Sequence, residues 1–287
     1  MSVHVDGKEI ARHLNDSIRE KVSALSVSAG RPPRLVSLCV GHNEEAQIYV
    51  KMQEKAAEKV GIAFERRVLD AGLCEKELLG EIDSLNADTS VTAVIVQKPL
   101  PFGIEHDRVV EALHPEKDAE GLHPYNLGRI FRREADIVPC TPGAVMRILR
   151  EHHVELYGKE VVLVGHSAIV GKPLSMMMLN ESATTTVCHI GTAEKGDIIS
   201  HSRKADILVV AVGRPWMVTG DWVKRGAVVI DVGINKQDGA IVGDVLFPEV
   251  EKKASLITPV PGGVGPITVS ILMRNVLRAY RSQNVGA

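Results

Sequence analysis

Short apolar, β-branched runs alternate with helical patterns along this chain, and that alternation permits few architectures. In the first half the runs are RLVSLCV (34–40), IAFERRVL (62–69) and TAVIVQ (92–97), with helical patterns over about 9–26, 44–60, 75–86 and 106–113. Strands joined by crossover helices lie parallel, so these segments predict a parallel sheet with helices on its faces. Around 114–140 the regularity breaks in the loop-forming stretches HPEKDAEGLHPYN and PCTP. A helix, TPGAVMRILREHH, then leads into a second series: EVVLVG, TTTVCHI, ADILVVAVG, AVVIDVGI and SLITPV. These are almost continuously apolar, as strands buried on both faces are. The amphipathic TVSILMRNVLRAYRS closes the chain. The pattern predicts two α/β domains with a cleft between them, lined by loops at strand ends.

Composition narrows the partners. The 287 residues carry a formal net charge of −2, which makes no electrostatic case for nucleic acid or an anionic membrane. Aromatics are 3%, too few for a base-stacking surface. Cys39, Cys74, Cys140 and Cys188 are scattered, which predicts reduced thiols in a cytoplasmic protein and neither a disulfide framework nor a zinc site. The N-terminal MSVHVDGKEIARHL is amphipathic and unlike a signal peptide, and no run approaches the roughly 18 apolar residues of a membrane span.

The stretch QIYVKMQEKAAEKVG (47–61) poses the sharpest question. Asn43 can cap this helix, Glu44 and Glu45 suit its first turn, Lys55 and Lys59 its last turns, and Gly61 its left-handed stop. Tyr49, Gln53, Ala56 and Val60 share one face, on which Gln53 is the only amide; Lys51 and Lys55 point elsewhere.

In VVLVGHSAIVGKPLSMMML, Gly165 permits a tight strand-to-helix turn and Gly171 close helix packing, which leaves N–H groups for a pyrophosphate. Ser167 occupies the middle glycine position of the usual pattern, and a plain glycine turn is the competing reading. Met176, Met177 and Met178 are expected to be core filler. The next strand ends VCHIGT, with Ile190 and Gly191 where an acid or an arginine would read the ribose, and neither reader is present. ITPVPGGVGPITV (257–269) reads as a rigid loop against a ligand or simply as a structural turn. Gln97 ends a buried strand in VQKPLP; a satisfied structural amide is as good a reading as a site. Asp118, Glu120 and His123 form an acidic loop of the kind usually just solvated, and His152–His153 lacks a third metal ligand.

Together QIYVKMQEKAAEKVGI, VQKPLP, KDAEGLHPYNLGRI, PCTP, GHSAIVGKP and TPVPGGVGPITV, in that order, make the chain resemble the methylenetetrahydrofolate dehydrogenase/cyclohydrolase family over nearly its whole length. The resemblance implies an N-terminal α/β folate domain (1–121) and a Rossmann-like dinucleotide-binding domain (122–287), with a C-terminal helix (268–283) packing back on the first. It further implies a homodimer, with 5,10-methylenetetrahydrofolate and NAD or NADP as ligands. The reactions implied are oxidation to the 5,10-methenyl form and hydrolysis to 10-formyltetrahydrofolate. By the same resemblance Tyr49 stacks along the folate, Gln97 partners a catalytic lysine, and Glu120 stands where the family has a pterin-binding aspartate. Pro261, Gly262, Gly263 and Val264 border the folate. Gly165, His166, Ser167 and Gly171 form the cofactor turn, where His166 replaces a common arginine, and Ile190, Gly213 and Ile234 also line the cofactor.

The chief departure lies at position 53. The family's catalytic lysine follows the tyrosine by four residues, and here that residue is Gln53. The reading that follows is a dehydrogenase leaning to NAD, with cyclohydrolase activity weak or lost. The competing readings are a fully bifunctional enzyme with another acid–base, an idle folate- or nucleotide-binding protein, and a dehydrogenase of a small hydroxy or amino acid.

Overall fold

The apolar runs form the centres of two parallel sheets in the computed structural model, which describes residues 2–285 apart from the side chains of Glu45 and Val285. The chain divides into two compact units. One takes the residues up to Ala11 with 130–133 and 141–268; the other takes 12–129, 134–140 and the residues from Val269 on.

The first of these is built on a six-stranded sheet in the order Val3–His4, Leu256–Ile257, Val228–Asp231, Ile207–Val210, Glu160–Val164, Thr184–Cys188, every neighbouring pair parallel. Val161–Val164, Ile207–Val210 and Val228–Asp231 are buried at every residue, which is why they read as unbroken apolar runs rather than alternating ones. The other unit has three parallel strands, with Arg34–Val40 between Ala63–Leu69 and Ala93–Val96. Val36, Leu38, Val94 and Val96 pack there against Leu78, Ile82 and Leu85 of the helix Glu75–Ala87.

The two units interleave along the chain for identifiable reasons. Val3 N–H donates to Ser255 O at 2.8 Å and Val5 N–H to Ile257 O at 3.0 Å, which ties the N-terminus to the six-stranded sheet. Residues 122–126 are held to the other unit by Asp118, which accepts from His123 N–H at 2.7 Å and Asn126 Nδ2 at 3.0 Å. The helix Val264–Val285 joins that unit from Val269 on: Asn275 Nδ2 donates to Ala119 O at 3.0 Å and Val138 O at 2.8 Å, and the Tyr280 hydroxyl donates to Arg31 O.

Three local expectations are corrected, and one further element appears. The final helix starts at Val264, inside the expected loop, because Pro266 sits in its first turn, where no intrahelical N–H bond is lost. The segment 114–140 contains the helix Pro124–Phe131, opened by His123, whose Nδ1 accepts from Tyr125 N–H at 3.0 Å. The strand expected to reach Ile190 ends at Cys188. An unexpected antiparallel pair, Asn235–Gln237 with Ala240–Val242, turns through Asp238 and Gly239 at φ 50° and 79°. Among the described residues no helix is long and apolar enough to cross a membrane.

Candidate active site

In the three-stranded unit the helix Glu44–Val60 has the ends its sequence specifies. Asn43 Oδ1 accepts from Ala46 N–H at 2.8 Å, and Gly61 stops the helix at φ 79°. Its shared face runs from the solvent inward: Tyr49 is 50% exposed, Gln53 8%, and Val60 fully buried. Gln97 follows the strand Ala93–Val96 and is locked to its neighbour by its own N–H, which donates to Leu38 O at 2.9 Å. From there its side-chain Nε2 donates to Gln53 Oε1 at 2.8 Å and to the fully buried Ser37 Oγ at 3.0 Å. The structure therefore brings Gln53 and Gln97 into direct contact. Gln53 Nε2 has no acceptor among the described residues and is free to donate to a ligand. Lys51 and Lys55 are exposed and take no part in this chain of hydrogen bonds.

Glu120 is presented by a loop that Asp118 organises. Asp118, 2% exposed, accepts from Glu120 N–H at 3.1 Å and Gly121 N–H at 2.9 Å with one oxygen. Its other oxygen holds His123 and Asn126, so Asp118 is a scaffold rather than a ligand-facing acid. Gly121, at φ +73°, admits no side chain, since a Cβ would lie 2.4 Å from Val138 C. Ala119 N–H donates to Val94 O at 3.1 Å, which lays the loop beside the strand that leads to Gln97. Burial pushes the Glu120 carboxyl up to about 7; the Asp118 charge adds to the rise and Lys98, next to Gln97, opposes it. The buried Lys117 is also structural, with its Nζ donating to Leu85 O, Asn86 O and Asp88 O at 2.8, 2.9 and 2.7 Å.

In the six-stranded unit the turn after Glu160–Val164 is as tight as its glycines require. Gly165 stands at φ +122°, where a Cβ would lie 2.3 Å from Ala211 O; one on Gly171 would lie 2.1 Å from Gly165 O. Ser167, at the middle glycine position, turns its Oγ inward to accept from Val170 N–H at 3.1 Å. The N–H groups of His166, Ser167, Ala168 and Ile169 have no acceptor among the described residues, and all four residues are exposed. Such a cradle fits the phosphates of a dinucleotide.

Ile190 is exposed as the first residue of a short helix, Ile190–Glu194; the residue that directly follows the strand is His189. Gly213 (φ +66°) and the exposed Ile234 sit on loops anchored by two buried aspartates that sequence reasoning passed over. Asp244 accepts from Val212, Gly213 and Arg214 N–H at 2.7, 3.0 and 2.8 Å and from Asn235 Nδ2 at 2.9 Å. Asp231 accepts from Gly233, Asp244 and Val245 N–H at 2.9, 3.1 and 2.9 Å. Burial pushes the Asp231 carboxyl up to about 6, the three N–H groups pull it back, and the Asp244 charge raises it. An aspartate that ends a buried strand, in VVIDVGI, was the available signal for this pair. In the stretch Pro261–Gly263, Gly262 O accepts from Gly7 N–H at 3.0 Å, and Gly263 N–H donates to Pro259 O at 2.9 Å. Val264 already belongs to the helix.

Known proteins resemble this chain in sequence and fold. Residues 5–120 match the family model of the tetrahydrofolate dehydrogenase/cyclohydrolase catalytic domain, and residues 139–284 that of its NAD(P)-binding domain. The bifunctional enzyme FolD, a methylenetetrahydrofolate dehydrogenase/cyclohydrolase from Campylobacter jejuni, is 41% identical, with a TM-score of 0.95 over 98% of this chain and 99% of that one. The Trypanosoma brucei dehydrogenase–cyclohydrolase, solved with NADP and an inhibitor, is 40% identical, with a TM-score of 0.92 over 98% of this chain and 97% of that one. The 5,10-methylenetetrahydrofolate dehydrogenase of the silkworm Bombyx mori is 38% identical, with a TM-score of 0.91 over 99% of both chains. This chain belongs to the tetrahydrofolate dehydrogenase/cyclohydrolase family.

Proposed function

We propose that this protein oxidises 5,10-methylenetetrahydrofolate to the 5,10-methenyl form with a nicotinamide dinucleotide, and that it hydrolyses the methenyl form weakly or not at all. One observation carries the second half: Gln97 Nε2 donates at 2.8 Å to Gln53 Oε1, where the family resemblance implies a lysine. Bound nicotinamide supplies the hydride acceptor. What remains for the chain in that reaction is mainly positioning, because no side chain must gain or lose a proton. Tyr49 offers a flat face to the ligand's rings, Gln53 Nε2 a hydrogen bond, and Glu120 a carboxylate for the pterin's amino and ring N–H groups. The appearance of reduced cofactor on addition of methylenetetrahydrofolate tests the reading, and no absorbance change with either dinucleotide would overturn it. NAD is expected to serve at least as well as NADP, because no arginine or lysine follows the strand Thr184–Cys188 directly. A homodimer is the expected assembly, and light scattering checks it.

The assignment of Tyr49 and Glu120 carries its own prediction. Tyr49→Ala and Glu120→Ala should each weaken methylenetetrahydrofolate binding by about tenfold or more while sparing dinucleotide binding. The Glu120 carboxyl sits at about 7, so it is protonated below that value and a full acceptor only above it. Folate affinity should therefore fall as the pH drops from 8 to 6, and Glu120→Gln should flatten the profile. Folate affinity unchanged in both alanine variants would remove these residues from the site.

A further inference from the structure

We propose that Trp216 stacks on the bound dinucleotide, its indole covering one face of the nicotinamide ring and leaving the other face to the hydride donor. The inference rests on the dinucleotide reading of the six-stranded unit. Five described residues other than glycine stand at positive φ, and Trp216, at 54°, has the largest side chain of them. That left-handed conformation is strained for a bulky residue, and such strain persists where the surroundings fix it, most often at binding and active sites. The surroundings here do fix it: Trp216 N–H donates to Gly243 O at 3.2 Å and Val218 N–H to Asp244 O at 3.0 Å. Packing does not account for it. Trp216 is 43% exposed, whereas Trp222, the other tryptophan, is 8% exposed within the core of this unit.

Position within the sheet identifies the ligand. Strand order reverses between Glu160–Val164 and Ile207–Val210, with Thr184–Cys188 on one side and Val228–Asp231 and Leu256–Ile257 on the other. A dinucleotide crosses the carboxyl ends of the strands at such a switch point. Its adenosine lies toward the strand that follows the glycine turn, so its nicotinamide lies toward Ile207–Val210. Trp216 is carried by the loop that leaves this strand. The loop opens at Ala211, whose carbonyl is the backbone that Gly165 packs against. Asp244 ties the same loop, at Arg214, to Asn235, the neighbour of Ile234. A flat ring stacks on another flat ring, and indole is the best of the aromatic faces for a cation, which the oxidised nicotinamide ring is. Neither Gly213 nor Ile234 offers such a face.

Calorimetric titration with NAD and with ADP-ribose, which lacks the nicotinamide ring, tests the proposal. Trp216→Gly should weaken NAD binding about tenfold and leave ADP-ribose binding within about twofold of native. Trp216→Phe, which keeps a ring, should bind NAD more tightly than Trp216→Gly. NAD should quench the emission of the native protein, and Trp216→Phe, in which Trp222 is the remaining tryptophan, should lose most of that response. Glycine takes the left-handed conformation without strain, so Trp216→Gly should not lower the unfolding midpoint, as removal of a merely structural tryptophan would. Equal losses for NAD and ADP-ribose, NAD affinity unchanged in Trp216→Gly, a lowered midpoint in that variant, or binding of neither ligand by the native protein would overturn the proposal. Binding is read rather than turnover, so a failure to oxidise methylenetetrahydrofolate would count against the proposed function and leave this result standing.

Discussion

With the native protein, methenyltetrahydrofolate should decay close to its uncatalysed rate, and Gln53→Lys should accelerate that decay by about 10²- to 10⁴-fold. Hydrolysis of the methenyl cation requires water to add and protons to move, which calls for a side chain that titrates. The amide of Gln53 exchanges no proton near neutral pH, whereas a lysine partly desolvated at the same place would do so. The surroundings already suit a lysine. Position 53 is 8% exposed, and Gln97 reaches it at 2.8 Å from a buried, hydrogen-bonded base at Ser37. Rotation of the Gln97 amide would turn its carbonyl oxygen to an ammonium and its nitrogen away.

Other titrating groups are poorly placed to substitute. Lys51 and Lys55 are exposed on the same helix, two residues from Gln53 and so around its far side. Glu120, with its carboxyl at about 7, is the best remaining proton carrier, so any residual hydrolysis should disappear in Glu120→Ala. Hydride transfer should survive Gln53→Lys, because it depends on how the ligand is held and not on proton exchange at residue 53. The reading fails if native protein hydrolyses the methenyl form rapidly and the lysine variant does no better.

What was legible in the sequence divides along the line between local and non-local forces. The helix Glu44–Val60 and the strand Arg34–Val40 match their expected bounds because their ends are written locally, in Asn43, Gly61 and an abrupt change of period. The apolar face identified Gln53 as buried, but not what it meets; its partner is 44 residues away and is set by strand register. Val3–His4 escaped notice since two exposed residues carry no periodicity, and only the edge of the sheet makes them a strand. Asp238–Gly239 is a strong turn signal, yet it was flanked by no alternating apolar residues. The apolar run TTTVCHI reads as strand through Ile190, whereas the strand ends two residues earlier at Cys188, because the short helix from Ile190 takes over the backbone. Glycine positions, by contrast, were informative, because the close approaches at Gly165 and Gly171 exclude every other residue.

The second large effect is expected at Asp244. Asp244→Ala should lower the unfolding midpoint by about 10 °C, from a loss of about 3 kcal/mol or more. Four donors, on Val212, Gly213, Arg214 and Asn235, would lose their charged acceptor together, and each hydrogen bond to a charged group contributes about 1.5–3 kcal/mol, less where water can replace it. Relief of the repulsion from Asp231 opposes this, but one pKa unit of relief is only about 1.4 kcal/mol, so the lost hydrogen bonds win. The sign of the pH dependence identifies the pair. The Asp231 carboxyl, at about 6, lies above its unfolded value, so its contribution to stability is fully present in acid and is lost as the pH rises through 6. Below 6 Asp231 is protonated, and removing Asp244 relieves no repulsion. Asp244→Ala should therefore cost more at pH 5 than at pH 7.5, while Asp244→Asn, which keeps one acceptor oxygen, should cost less than alanine at both. The loop through Gly213 loses three of its anchors in the alanine variant, so dinucleotide affinity should fall by about tenfold, from roughly 1.4 kcal/mol of lost positioning. Thermal unfolding at the two pH values, followed by calorimetry with NAD, measures all of this; a midpoint within about 2 °C of the native protein would show that the four donors find other partners.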